Sequence, residues 1–362
     1  MMLRHKTREV RIGSMAIGGN NPVAVQSMTT TDTKDLEATM AEIVRLEEAG
    51  CEMIRVAFLN KKAFEALKEV KRRSRVPIIV DIHFTAELAL VAMEAGADKI
   101  RINPGNVGGL AKLDPILRMA SDKGVAIRIG VNSGSVEEEL LEKYGYPCPD
   151  AIVESALRTV EYCENKGFHN LVVSLKSSNV QTTLESYRKF AAQCDLPLHV
   201  GITEAGFGQY AVTKSAVGIG AILLSGLGDT IRASLTGDPV EEVKACYDIL
   251  KATGVRVTGP ELIACPTCGR IQIDLEKLVG EVSERIKGMT EPIKISVLGC
   301  PVNGPGEARE ADIGIAGGNG KGWVYRNGKV QRTVLESELL DALEDEIRIW
   351  MKERKDEQAG NI

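Results

Sequence analysis

From residue 22 to about residue 255 the chain alternates between two textures of apolar and polar positions. Short runs rich in β-branched and apolar residues recur as PVAVQSM (22–28), EMIRVAF (52–58), PIIVDIHF (77–84) and DKIRINPG (98–105). VAIRIGVN (125–132), NLVVSLK (170–176), LPLHVGITE (196–204) and GAILLSGLGD (220–229) continue the series. Between them lie segments with helical spacing. In 35–50, Leu36, Met40, Ile43, Val44 and Leu46 form one apolar stripe that stops at Gly50. Continuous apolar strands separated by amphipathic helices read as parallel βα units. Eight such units predict an α/β fold, a closed (β/α)8 TIM barrel. An open doubly wound sheet usually opens with a G-x-G-x-x-G turn, which GGNNP at 18–22 is not.

After Gly254 the pattern changes. TGPELIACPTCGR (258–270) reads as a loop, and Leu275, Leu278, Val279, Val282 and Ile286 mark a helix. IKISVLG (293–299) and DIGIAG (312–317) read as strands, and GWVYRNGKVQRTV (322–334) as a hairpin turning at Asn327-Gly328. Leu335, Leu339, Leu340, Leu343, Ile347 and Trp350 predict a closing helix whose final residues fray. The expected organisation is a barrel domain over 1–257 and a smaller α+β domain over 258–362.

Composition narrows the class. Of 362 residues, 44% are hydrophobic and 26% charged, which excludes disordered and fibrous chains. The net charge of −5 argues against a nucleic-acid partner, and 4% aromatics against stacking platforms for single strands. The start, MMLRHKTREVRIG, has no apolar core, and no run approaches the roughly 18 residues of a membrane span. A cytoplasmic protein with no membrane contact is expected, so its eight cysteines read as reduced or metal-bound rather than paired. Cys51, Cys148, Cys163, Cys194 and Cys246 are scattered singly and read as buried apolar residues.

In a (β/α)8 barrel the C-terminal strand ends line the active site. Those ends present Gln26, Ser27, Arg55, Asp81, His83, Arg101 and Asn103. Arg128, Asn132, Ser174, Lys176, His199, Thr203, Glu204, Ser225 and Asp229 complete the ring. Four cationic groups and two histidines at one mouth of an acidic chain point to a polyanionic ligand. Internal salt bridges to Asp81, Glu204 and Asp229 are the alternative. SGLGDTIR (225–232), read as glycines running into a helix N-terminus after the eighth strand, favours phosphate.

Cys265 and Cys268 stand at C-x-x-C spacing, and Cys300 follows in GCPVNGPGEA. A structural zinc wants four N or S ligands, yet His5, His83, His169 and His199 all lie upstream. Three cysteines with an open fourth position suit a [4Fe-4S] cluster, with Glu307 and Glu310 as nearby carboxylates. A zinc completed by a carboxylate, or a redox dithiol at Cys265 and Cys268, would use the same residues.

VRIGSMAIGGNNPVAVQSMTTTDT, RINPGN, HVGITEAG, LLSGLGDTIR, CPTCGR and VNGPGE, in this order, resemble the bacterial 4-hydroxy-3-methylbut-2-en-1-yl diphosphate synthase family. The resemblance spans residues 8–350 and matches the short, two-domain form. It implies a two-electron reductive ring opening of 2-C-methyl-D-erythritol 2,4-cyclodiphosphate, with flavodoxin or ferredoxin as electron donor. It also implies that Cys265, Cys268, Cys300 and Glu307 hold the cluster and that Glu204 handles protons. Arg55, His83, Arg101, Asn103, Arg128, Asn132, Ser174, Lys176, His199 and Ser225 fall in the segments that hold the diphosphate. TTTDT where TNTDT is commoner, and Pro301 after Cys300, touch no expected ligand.

Barrel helices return the chain to the face opposite the mouth, so a cluster domain that follows the last helix cannot easily cover its own barrel. A head-to-tail homodimer is therefore expected, and the resemblance implies the same. Two other readings use the same residues: a phosphate-binding TIM-barrel lyase with a structural zinc domain, and an iron–sulfur carrier. The cationic mouth argues against a carrier, which has no use for it.

Overall fold

The computed structural model describes residues 4–82, 86–103, 105, 109–300 and 304–360. The chain divides into two compact units, Met1–Arg256 and Val257–Ile362.

The first unit opens with an antiparallel hairpin, β1 (Val10–Ile12) and β2 (Met15–Ile17), that strand counting passed over. The parallel strands are β3 (Ala24–Met28), β4 (Met53–Phe58), β5 (Ile78–Ile82), β6 (Lys99–Ile102) and β7 (Ala126–Asn132). β8 (Leu171–Lys176), β9 (His199–Val200) and β10 (Thr230–Ile231) follow. They are ordered β8-β7-β6-β5-β4-β3-β10-β9, and a parallel bridge from Val173 to Leu198 closes the ring into the expected barrel.

Period-two alternation sorts the side chains. Ile54, Val56, Ile78, Val80, Ile100, Ile127, Ile129, Val173 and Val200 face outward into the main core under the helices. The inward residues at the strand N-terminal ends, Ala24, Met53, Ile79, Ala126 and Val172, pack with Val10, Ile12 and Ile17 of the hairpin. The hairpin therefore plugs one end, and the polar residues gather toward the other. The helix expected at 35–50 runs Leu36–Glu48, with Asp35 accepting from the Ala38 N–H at 3.1 Å.

The eighth strand departs from expectation. GAILL is the last part of a helix, Gly208–Leu224, and the strand lies beyond it at Thr230–Ile231. A short apolar run has no period long enough to tell helix from strand.

In the second unit the strands are β11 (Glu261–Ala264), β12 (Lys294–Leu298), β13 (Ile313–Gly318), β14 (Lys321–Arg326) and β15 (Lys329–Leu335), in that order. β11, β12 and β13 are parallel; β13, β14 and β15 are antiparallel. β11 falls where the sequence read as a loop. Asn327 and Gly328 both take positive φ, 46° and 74°, as the hairpin turn requires. Helices Leu275–Arg285 and Leu339–Gly360 pack on the sheet through Leu275, Val282, Leu339 and Leu343. Among the described residues no helix is long and apolar enough to cross a membrane.

Candidate functional site

Arg55, Asp81, Arg101, Arg128, Ser174, Lys176 and His199 share the inward faces of β4 to β9 with Gln26 of β3. Arg101, Arg128, Ser174, Lys176 and His199 are buried. Asp81 is the carboxylate among them: Arg101 Nη1 donates to it at 3.3 Å, and Arg55 Nε lies 3.7 Å away. Arg101 is not fully satisfied, because its Nε has no hydrogen-bond partner, whereas Arg55 Nε donates to Met28 Sδ at 3.0 Å. Arg128 Nε and Nη1 and both amide ends of Gln26 are buried without partners as well. Lys176 Nζ lies 3.4 Å from His199 Nε2, and His199 Nδ1 is 2.8 Å from Thr230 Oγ1.

Burial sets the electrostatics. Desolvation brings Arg55 down to about 10, with Asp81 opposing and Arg232 and Arg101 adding to the fall. It also pushes Arg128, Lys176 and His199 well below their ordinary values, and repulsion among these cations adds to each. A buried group of this kind needs anionic acceptors.

Two glycines make the room. A Cβ on Gly130 would stand 2.8 Å from Arg101 Nε, and one on Gly201 would stand 2.6 Å from Lys176 Nζ. Asn103 and Asn132 close the ends of β6 and β7 around Ser135, whose Oγ accepts from Asn103 Nδ2 at 2.7 Å and from the Asn132 N–H at 3.3 Å. Glu204 follows β9 in a loop, where it is exposed and has φ of 51°, a left-handed conformation that costs a non-glycine residue roughly 1–2 kcal/mol. His83 lies outside the described residues.

Two expected positions move. Ser225 caps the C-terminus of helix Gly208–Leu224, donating to the Ala221 carbonyl at 2.8 Å and accepting from Arg188 at 2.9 Å. Because it precedes β10, it belongs to the strand N-terminal side, away from the cup. The same holds for Asp229, which pairs with Arg4 at 2.6 Å and accepts from the Leu198 N–H at 2.8 Å. SGLGD is thus a helix-to-strand turn, not a phosphate loop. Ser27 bonds outward to Glu242 at 2.8 Å.

The inward residue that follows β10 is Arg232, hidden from the sequence reading by the misplaced strand. Glu242 accepts from its Nε and Nη2, each at 2.9 Å. The alternation Thr230, Ile231, Arg232 was the signal that could have revealed it.

In the second unit, Cys265 directly follows β11 and Cys300 lies two residues past β12, so adjacent parallel strands bring them to the same sheet end. The Gly299 N–H donates to Cys265 Sγ at 3.3 Å, and Gln272 N donates to Gly299 O at 2.9 Å. Cys268 is exposed, and hydrogen bonds from the Arg270 backbone and then its side chain hold its thiol below the ordinary value. Arg270 is itself raised by Cys268, first through that hydrogen bond, with Cys300 and Glu307 adding smaller effects. One guanidinium thus senses two thiols and the carboxylate. Glu307 ends the short helix Gly304–Glu307 and is exposed. Among the described residues no three His, Cys, Asp or Glu side chains gather closely enough for a single metal ion.

The barrel matches the GcpE TIM-barrel domain over residues 7–247, and the second unit matches the GcpE protein C-terminal domain over 261–349. The chain belongs to the GcpE family. It is 54% identical over 344 residues to the 4-hydroxy-3-methylbut-2-en-1-yl diphosphate synthase (flavodoxin) of Geobacillus kaustophilus, covering 95% of this chain and 92% of that protein. The Bacillus subtilis protein of the same name is 53% identical over 350 residues, with 97% and 93% covered. Among solved structures, Yersinia pestis dihydropteroate synthase with a bound sulfonamide drug superposes with a TM-score of 0.51 at 14% identity. It covers 69% of this chain and 100% of its own, a likeness of barrel fold alone.

Proposed function

We propose that this GcpE-family chain opens the ring of 2-C-methyl-D-erythritol 2,4-cyclodiphosphate reductively, with two electrons and loss of water, giving 4-hydroxy-3-methylbut-2-en-1-yl diphosphate. Its similarity to synthases across nearly its whole length carries this reading, and the electron donor implied by their name is flavodoxin. The barrel interior agrees with it: Arg128 and Arg101 hold buried N–H groups with no protein acceptor, as a diphosphate site requires. The barrel lyase with a structural zinc is not favoured.

Arg55, Arg101, Asn103, Arg128, Asn132, Ser174, Lys176 and His199 hold the diphosphate, and Arg232 joins them, kept in place by Glu242. His83 remains part of the set on its motif alone, and Ser225 leaves it. The cations stabilise the phosphate charge that develops as its bond to carbon breaks. Glu204 supplies the proton to the departing hydroxyl.

The donor set in the second unit fits a [4Fe-4S] cluster. It offers three soft thiols, one of them poised toward thiolate, an N–H···S bond to Cys265, and a carboxylate in Glu307. When bound there, the cluster supplies the low-potential electrons that no side chain can. Protein isolated without air should contain about four irons and four sulfides per chain, and Cys300→Ser should lose most of both. Zinc in place of iron would refute the assignment.

We also place the active form as a head-to-tail homodimer. The barrel's last helix, Pro239–Ala252, brings the chain back to the strand N-terminal side, where Arg256 donates to the Val23 carbonyl at 3.1 Å. The chain leaves the barrel away from the cup, which favours a cluster domain that serves the partner's barrel.

A further inference from the structure

The barrel axis holds one more basic residue than the diphosphate site uses. Lys99 sits one inward position beneath Arg101, for its backbone pairs with Ile79 and Ala126 where that of Arg101 pairs with Asp81 and Arg128. Its side chain is wholly buried, with Nζ 4.0 Å from Met53 Sδ, in the apolar layer that the hairpin closes. The charged and titratable groups of the surrounding barrel strands are Arg55 on β4, Asp81 on β5, Arg101 on β6, Arg128 on β7, Lys176 on β8 and His199 on β9. Asp81 is engaged by Arg101 and Arg55. Burial, with repulsion from Arg128 and Arg55, holds the Lys99 amine well below the ordinary lysine range. In the free protein, burial and the neighbouring cations thus disfavour the charged form of the amine.

Around the same axis, Arg128 Nε and Nη1, Arg101 Nε and the Gln26 amide are buried and unpartnered. An anion bound by those groups turns the field at Lys99 from repulsive to attractive, inside a medium of low dielectric. We propose that Lys99 is a positioning residue that takes a proton from solvent as the diphosphate enters, so that the cup gains a cation only when the anion is present. This rests on the diphosphate reading of the cup given above.

Titration calorimetry tests it. Anaerobically isolated protein is titrated with the cyclic diphosphate near neutral pH, in buffers of different ionisation enthalpy, to count protons. Wild-type protein should take up protons on binding. Lys99→Met should take up about one fewer and bind several-fold more weakly, with the cluster absorption unchanged. Equal uptake in the two proteins, or tight wild-type binding without uptake, would overturn the role of Lys99 while leaving the diphosphate site standing. No binding to wild-type protein would overturn that site and the role with it. A Lys99→Met chain that does not fold, judged by circular dichroism, would also count against the proposal, since an uncharged buried amine is replaceable by an apolar chain of similar length.

Discussion

Glu204, proposed above as the proton donor, sits on a strained backbone. Its φ of 51° is one that glycine adopts freely, so a side chain retained there points to a requirement at that position. Glu204→Gln should keep the cluster absorption and lose turnover by roughly a hundredfold or more. Glu204→Gly should be equally inactive yet melt higher, because the strain is gone. His199 predicts a pH dependence. Burial keeps its imidazole neutral in the barrel, while the unfolded chain binds that proton below about pH 6.5. Stability is thus full above that pH and falls as acid is added; a melting curve measured against pH should steepen there, and His199→Asn should flatten it. At this scale the alternation along each strand made Arg55, Arg101, Arg128 and Lys176 legible. Lys99 shares a face with Arg101 but was passed over, because strand-end reasoning selects the upper residue and skips the one beneath.

Elements are held by buried polar ties that no pattern of apolar residues reveals. Glu242, on the last barrel helix, accepts from Ser27 at 2.8 Å, from Arg232 at 2.9 Å and from the Leu235 N–H at 3.1 Å. It fastens that helix to β3 and to the end of β10. Glu242→Ala leaves the half-buried Arg232 without its carboxylate partner and should cost about 2–3 kcal/mol in denaturant unfolding, less than a fully buried pair would. Seven barrel strands were legible because each is a β-branched run bounded by polar turns. β10 was not, since only Thr230 and Ile231 belong to it and a more apolar helix end stands just before. That one misplacement moved Ser225 into the cup and kept Arg232 out. β11 was missed for a related reason: its residues are half-buried or exposed and flank a cysteine loop.

For the whole molecule, two architectures share one chain. The barrel supplies a cationic cup, and the second unit supplies thiols at the end of a mixed sheet. The cysteine spacing pointed to Cys265, Cys268 and Cys300 directly, whereas the choice of Glu307 over Glu310 came only through family resemblance, because both carboxylates lie close to Cys300 in the sequence. In a head-to-tail dimer, mixing a Cys300→Ser chain with a Glu204→Gln chain restores part of the activity, since one composite site then keeps both intact partners. Heterodimers that form and stay inactive would exclude that arrangement. The proposed reaction is tested by anaerobic turnover of 2-C-methyl-D-erythritol 2,4-cyclodiphosphate with reduced flavodoxin. The wild-type chain should give 4-hydroxy-3-methylbut-2-en-1-yl diphosphate, and Glu204→Gln about a hundredth as much or less. Unchanged cyclic diphosphate after incubation with protein that carries its full iron and sulfide would contradict that proposal.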